Sequence, residues 1–307
     1  MSQDFRFLML GAMYENGGNT THRFLDGHPQ MYVYPFESQV GTRMVGDHLA
    51  SMFPVKYRWP VFDLDARPDQ DYESIIDEET RVRARTPHVS KFRHVEFEFS
   101  DDERKTAYLE LVARSGRSRA NNVEAFLRAT FLAWRNRVGS GRECMYVGYS
   151  PIVTVDADKI LDDLPGAHVL HVVRNPWSAY ADTRKRPVPL SVAHYILAWT
   201  INQQAALYFQ QRYPDRFHIV RVEDVMQDRR KTLGGVCARL GLETPESLGS
   251  PSWNGMALPE VYPWGTIRCP TPEANRATAD ELSDELRAEI RQRAAPFLEA
   301  FEYDRFL

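Results

Sequence analysis

The chain has 307 residues, 43% apolar, 26% charged and 12% aromatic, enough for one large α/β core. Its formal net charge of -4 argues against a nucleic-acid partner, although an anion pocket needs only local positive charge. Cys144, Cys237 and Cys269 are odd in number and widely spaced. They fit neither a disulfide framework nor a zinc knuckle and point to a reducing compartment. No apolar run reaches the length of a membrane span and residues 1–10 lack a signal-type core, so the expectation is a soluble cytoplasmic protein with no membrane contact.

In chain order, the run Phe7-Leu8-Met9-Leu10 predicts a first strand over 5–10, stopped at Gly11. Asn16-Gly17-Gly18-Asn19-Thr20-Thr21 follows and opens a helix over 20–25. A strand, a glycine-bearing turn and two hydroxyls at a helix start make an anion site, because unpaired N–H groups and the helix dipole converge there. A second strand is predicted over 31–34, ended by Pro35. Residues 55–100, with Pro60, Pro68 and Pro87, read as an irregular insertion lying over a site. Val123, Phe126, Leu127, Thr130, Phe131 and Trp134 have helical spacing and predict a helix over 121–138. A short strand at 145–147, a helix at 155–161 and a buried strand at 168–173 come next. Arg174-Asn175-Pro176 halts that strand, and Pro176 suits the opening of another helix. The remainder predicts a helix over 192–211, a strand over 218–222, a helix over 231–240 closed by Gly241, and a final helix over 279–301. The alternation implies α/β architecture: a central parallel sheet with helices on both faces.

The strand ends after Leu10 and Val173 then share the carboxyl edge of one sheet, where such folds bind ligands. Arg174 there can grip a phosphate with its rigid fork of donors. Pairing with a carboxylate at the strand end is an equally weighted alternative.

These segments resemble PAPS-dependent sulfotransferases. Gly11-Ala12-Met13 through Thr20-Thr21, then Arg23-Phe24-Leu25-Asp26-Gly27-His28-Pro29, is similar to the family's 5′-phosphosulfate loop and following helix, with an ending like that of the bacterial and Golgi branches. His168 to Pro176 resembles its 3′-phosphate strand and turn. Arg221-Val222-Glu223-Asp224-Val225, Asp228 and Gly241-Leu242 resemble a third block. Residues 55–140 and 245–275 lie outside the resemblance.

The resemblance implies a single domain over 1–307 with P-loop-like sulfotransferase architecture, in which 55–140 shapes the acceptor pocket. It implies PAPS as co-substrate without a metal, held by Gly17, Gly18, Asn19, Thr20 and Thr21 at the phosphosulfate and by Arg174 at the 3′-phosphate. The acceptor would be a hydroxyl or amine of a small molecule or saccharide. Two departures stand out. Where the family has Ser eight residues after the Arg, this chain has Asp182, so the phosphate contact passes to neighbouring Thr183. The loop cation is also missing, its stretch being Tyr14-Glu15-Asn16. The family's Lys-Thr-Pro likewise becomes Tyr149-Ser150-Pro151. Lys159, Lys185 and Arg268 are the candidate replacements, Arg268 being assigned to donor binding, while His22 and Arg23 would have to reach back from within the helix.

By likeness to tyrosylprotein sulfotransferases, Glu37 is the expected base, with a pKa raised by its aromatic neighbours. His28 is the rival base, although a His before Pro at a helix exit suits a structural role. The competing classes are a P-loop kinase or NTPase, whose Gly-Lys-Ser/Thr is absent, and a noncatalytic nucleotide binder on the same fold.

Overall fold

The computed structural model describes residues 5–259 and 270–307. Its centre is a five-stranded, all-parallel sheet of β1 (Phe7–Ala12), β2 (Met31–Val33), β3 (Met145–Pro151), β4 (Ala167–Val173) and β5 (Phe217–Arg221), in the order β2-β3-β1-β4-β5. Every residue of β1 is buried, as the unbroken apolar run requires of a strand covered on both faces. β1 extends past Gly11, which is not a turn. A Cβ there would lie 2.3 Å from Thr154 Oγ1, so glycine admits the segment after β3. Register pairs Ala12 with Pro151 and with Val172, which brings the ends of β1, β3 and β4 to one edge.

Crossover helices surround the sheet: α1 (Gly18–Leu25) after β1, α6 (Ala157–Asp163) after β3, α7 (Pro176–Thr183) and α8 (Val192–Arg212) after β4, α9 (Val222–Gln227) and α10 (Arg229–Arg239) after β5. The α/β architecture expected from the alternation is the one found. The connection from β2 to β3 carries α2 (Pro68–Ser74), α3 (Glu78–Arg85), α4 (Asp101–Ser115) and α5 (Arg119–Ala133). Tyr108 and Val112 of α4 and Val123 and Phe126 of α5 join the buried cluster that contains Phe7 and Leu8. The connection therefore shares the sheet's core, each such burial contributing about 1.5–3 kcal/mol.

Other stretches also differ from the sequence expectation: the strand expected over 145–147 runs to Pro151, and the helix expected over 121–138 ends at Ala133. The region expected to be irregular, 55–100, holds helices α2 and α3, and α4, directly after it, starts where Ser100 accepts from the Glu103 N–H, with three acidic residues in its first turn. The final helix is two, α11 (Pro272–Asp280) and α12 (Asp284–Leu298), because Ser283 caps a new start by accepting from the Leu286 N–H. A two-residue ribbon, β6 (Ser252–Trp253) and β7 (Met256–Ala257), sits beside α1. Among the described residues no helix is long and apolar enough to cross a membrane.

Candidate active site

The loop between β1 and α1 is bent by left-handed residues, Glu15 at φ 59° and Gly17 at φ 85°. Gly17 is obligatory twice over, since a Cβ there would also meet Val222 Cγ2 at 2.4 Å. At Gly18 a Cβ would lie 2.3 Å from the Tyr149 ring. These contacts draw the backbone flat against β3 and α9. The first turn bond of α1 runs from the Thr21 N–H to the Gly17 carbonyl at 2.9 Å, and no side chain caps the helix. The N–H groups ahead of Thr21 therefore have no helical acceptor. The Thr21 hydroxyl and the Asn19 amide oxygen are also buried without a partner. Among the described residues, this corner leaves the backbone N–H groups and the Thr21 hydroxyl as unused donors, with the Asn19 amide oxygen as an unused acceptor.

Asn16, fully buried, fixes the loop. Its Nδ2 donates to the Tyr14 carbonyl at 2.9 Å and the Tyr195 hydroxyl at 3.0 Å. Its Oδ1 accepts from the Arg174 N–H at 3.0 Å and Trp199 Nε1 at 3.1 Å. One amide thus ties the two strand ends to α8. Tyr14, where the family has a cation, lies beneath Arg186, whose guanidinium sits 4.7 Å from the ring centroid. Burial raises the Tyr14 phenol pKa despite that charge, so the phenol stays neutral. Nothing local in the sequence marks this stacking, since Arg186 stands in the short basic run Arg184-Lys185-Arg186.

Glu37 follows β2 and is buried to 7% exposure. The Tyr57 hydroxyl hydrogen-bonds to it, and Gln39 Nε2 lies 3.5 Å from its Oε2. Tyr57 also meets Tyr14 edge-on, with centroids 6.2 Å apart, which connects Glu37 to the loop through two phenols. A second carboxylate, Glu79 of α3, accepts from the Glu37 backbone N–H at 3.2 Å. Burial, and then the Glu37 charge, hold the Glu79 carboxyl well above the ordinary range, opposed by its ion pair with Lys91. No local pattern marks Glu79, because 42 residues separate it from Glu37 and only the tertiary fold brings them together.

His28 occupies a different environment. Its Nδ1 accepts from the Gln30 N–H at 3.0 Å, which leaves the proton on Nε2 to donate to the Glu243 carbonyl at 3.1 Å. Burial lowers its pKa. Both ring nitrogens thus serve backbone groups. On α1, His22 Nδ1 lies 2.8 Å from Arg23 Nη2 and its Nε2 has no partner. Burial and the neighbouring guanidinium keep the ring neutral. Arg23 itself sits over Trp253, 5.3 Å from the centroid.

The second corner, after β4, is closed by its own side chains. Arg174 Nε donates to Asn275 Oδ1 at 2.8 Å, and Nη1 donates to Asp182 Oδ2 at 2.7 Å and the Glu15 carbonyl at 3.0 Å. Lys185 binds the other Asp182 oxygen at 3.0 Å and Glu281 at 2.9 Å. Thr183 is buried, and its hydroxyl donates to the Ala179 carbonyl of its own helix at 2.9 Å. Glu223 accepts from the Asn175 N–H and Nδ2, from Asn275 Nδ2 and from the Tyr303 hydroxyl. Asp224 pairs with Arg221 at 2.7 Å, so this acidic dipeptide is divided between two structural tasks.

Of the proposed replacement cations, Lys159 pairs with Asp156 at 2.6 Å and Lys185 with Asp182, while Arg268 lies outside the described residues. Among the described residues no group of three or more His, Cys, Asp or Glu could hold a metal.

The architecture matches known folds. The sulfotransferase domain of the Synechococcus PCC 7002 olefin synthase superposes with a TM-score of 0.56 at 19% identity, covering 99% of this chain and 98% of its own. The sulfotransferase domain from the curacin biosynthetic pathway gives 0.54 at 14% identity, covering 95% and 97%. No curated protein matches the sequence. The family model for sulfotransferases matches residues 17–246, from the Gly17 cap through the β4 corner to the loop after α10. The chain belongs to the sulfotransferase family.

Proposed function

We propose that this protein moves a sulfuryl group from the 5′-phosphosulfate of a nucleotide, PAPS being the donor the family implies, to a hydroxyl or amine of a small molecule or saccharide. The observation that carries the proposal is the start of α1, where backbone N–H groups without helical acceptors adjoin the unpartnered, fully buried Thr21 hydroxyl. Donors preorganised in this way favour an oxyanion whose charge grows as a bond to sulfur breaks.

The donor supplies an activated S–O bond, and the chain's own residues supply position and charge. Gly17 and Gly18 bring the backbone close, and Thr21 donates to the anionic end. Arg186, resting on Tyr14, is the described cation that supports this end in place of the absent loop lysine. Glu37 takes the acceptor's proton as the acceptor heteroatom bonds to sulfur and the nucleotide phosphate leaves with the electrons of the broken S–O bond. Tyr57 orients the carboxylate, and Glu79 holds the backbone behind it. His28, with both nitrogens engaged, has no proton-transfer role in this scheme.

The test is incubation with PAPS and with adenosine 5′-phosphosulfate against a panel of phenols, amines and sugars, read by the mass gain of one sulfuryl group. Transfer from either donor supports the proposal. Failure of both donors to saturate the protein in calorimetry contradicts it.

A further inference from the structure

A donor carrying a second phosphate needs a second open corner, and the corner after β4 is not open. Arg174 is 1% exposed and Asp182 2%, and their ion pair measures 2.7 Å. A guanidinium grips a phosphate through two adjacent nitrogens. Here both two-nitrogen faces have lost a member, since Nη1 is held by Asp182 and Glu15 and Nε by Asn275. Lys185, a cation that also binds Asp182, is spread over Asp182 and Glu281. Asn275, which locks Arg174, also accepts from Ser178 Oγ through its own carbonyl at 2.7 Å and donates to Glu223, so α11 seals the pair from the far side. The Thr183 hydroxyl is turned into α7. A phosphate entering here would have to displace a carboxylate and leave it buried beside a like charge, an arrangement that a low-dielectric interior strongly disfavours.

We infer that Asp182 is a built-in counter-anion standing where a ribose 3′-phosphate would bind, and that the donor this chain takes is a nucleoside 5′-phosphosulfate with a free 3′-hydroxyl. The inference rests on the sulfuryl-transfer proposal and changes its donor. The acceptor oxygen or nitrogen bonds to sulfur, the S–O bond to phosphorus breaks, Glu37 receives the acceptor's proton, and the leaving group is a nucleoside 5′-monophosphate rather than a 3′,5′-bisphosphate. The Arg174–Asp182 pair is a specificity determinant here, fixing the corner without touching the reacting atoms.

Calorimetric titration of the full chain with AMP and with adenosine 3′,5′-bisphosphate separates the possibilities. The expected result is that wild type binds AMP at least as tightly as the bisphosphate. Asp182→Ser, which frees Arg174 and Lys185, then shifts the affinity ratio toward the bisphosphate by about tenfold or more. Asp182→Asn, which keeps the shape and removes the charge, shifts it in the same direction. A wild-type preference for the bisphosphate of about tenfold or more overturns the inference while leaving sulfuryl transfer standing. Absence of saturable binding by either nucleotide and by adenosine 5′-phosphosulfate removes both.

Discussion

Two corners of one sheet edge, equivalent in topology, differ in what their polar groups do. After β1 the chain turns through left-handed residues into a helix start with no side-chain cap, and buried polar groups there have no partner among the described residues. After β4 the turn is capped by Asn175, and Arg174, Asp182, Asn275 and Glu223 satisfy one another. Unspent hydrogen-bonding capacity in a buried place is costly unless a ligand uses it. The first corner is therefore organised for something that arrives, and the second for stability.

That contrast can be broken from either side. The largest effect is expected at Arg174. Arg174→Ala strands the buried Asp182 carboxylate with Lys185 alone and should cost about 3 kcal/mol or more of unfolding free energy, read by urea denaturation. A loss below about 1 kcal/mol would mean that the pair is not structural and that Arg174 is kept for a ligand. Next comes Glu37→Gln, expected to lower turnover by about a hundredfold or more while nucleotide affinity stays within about threefold. Equal turnover would move the base elsewhere. Thr21→Val removes one donor from the open corner while keeping its volume, and should weaken AMP binding by about tenfold. Unchanged affinity would mean that this hydroxyl serves only the fold.

The smallest effect is a pH signature behind Glu37. Because Glu79 has a folded-state pKa raised above its unfolded value, the folded chain holds more protons than the unfolded one between the two. Stability from this group is thus fully present below the unfolded pKa and is lost as pH rises through the folded value, about 7. Glu79→Gln removes that loss, so its melting temperature should gain on wild type's as pH rises from about 5 to about 8. A difference independent of pH would show that Glu79 is ordinarily ionised throughout.

Much of the frame was readable because burial writes itself into sequence. β1 is an unbroken apolar run, and the strand before Arg174 is apolar apart from His168 and His171, as a sheet covered on both faces favours. The glycine-rich start of α1 was equally visible, since few residues tolerate that backbone. Helix α4 was not, because its buried residues Arg104, Tyr108 and Val112 include a charged one and give little apolar periodicity. Within the site, Asp182 was legible as an acidic residue at an awkward place, but its partner was not. Whether Arg174 faces a ligand or a carboxylate is decided by α11, about a hundred residues away in sequence. Glu79 and Arg186 share that difficulty, since their roles exist only as tertiary contacts with Glu37 and Tyr14.

The most direct test of the central claim is amide NMR of the Gly18, Asn19 and Thr20 N–H groups during titration with adenosine 5′-phosphosulfate. Saturable shifts at these amides, larger than any at Arg174, are predicted from a donor whose phosphosulfate rests on the start of α1. Silent amides there, or shifts centred on the Arg174–Asp182 pair, would contradict it.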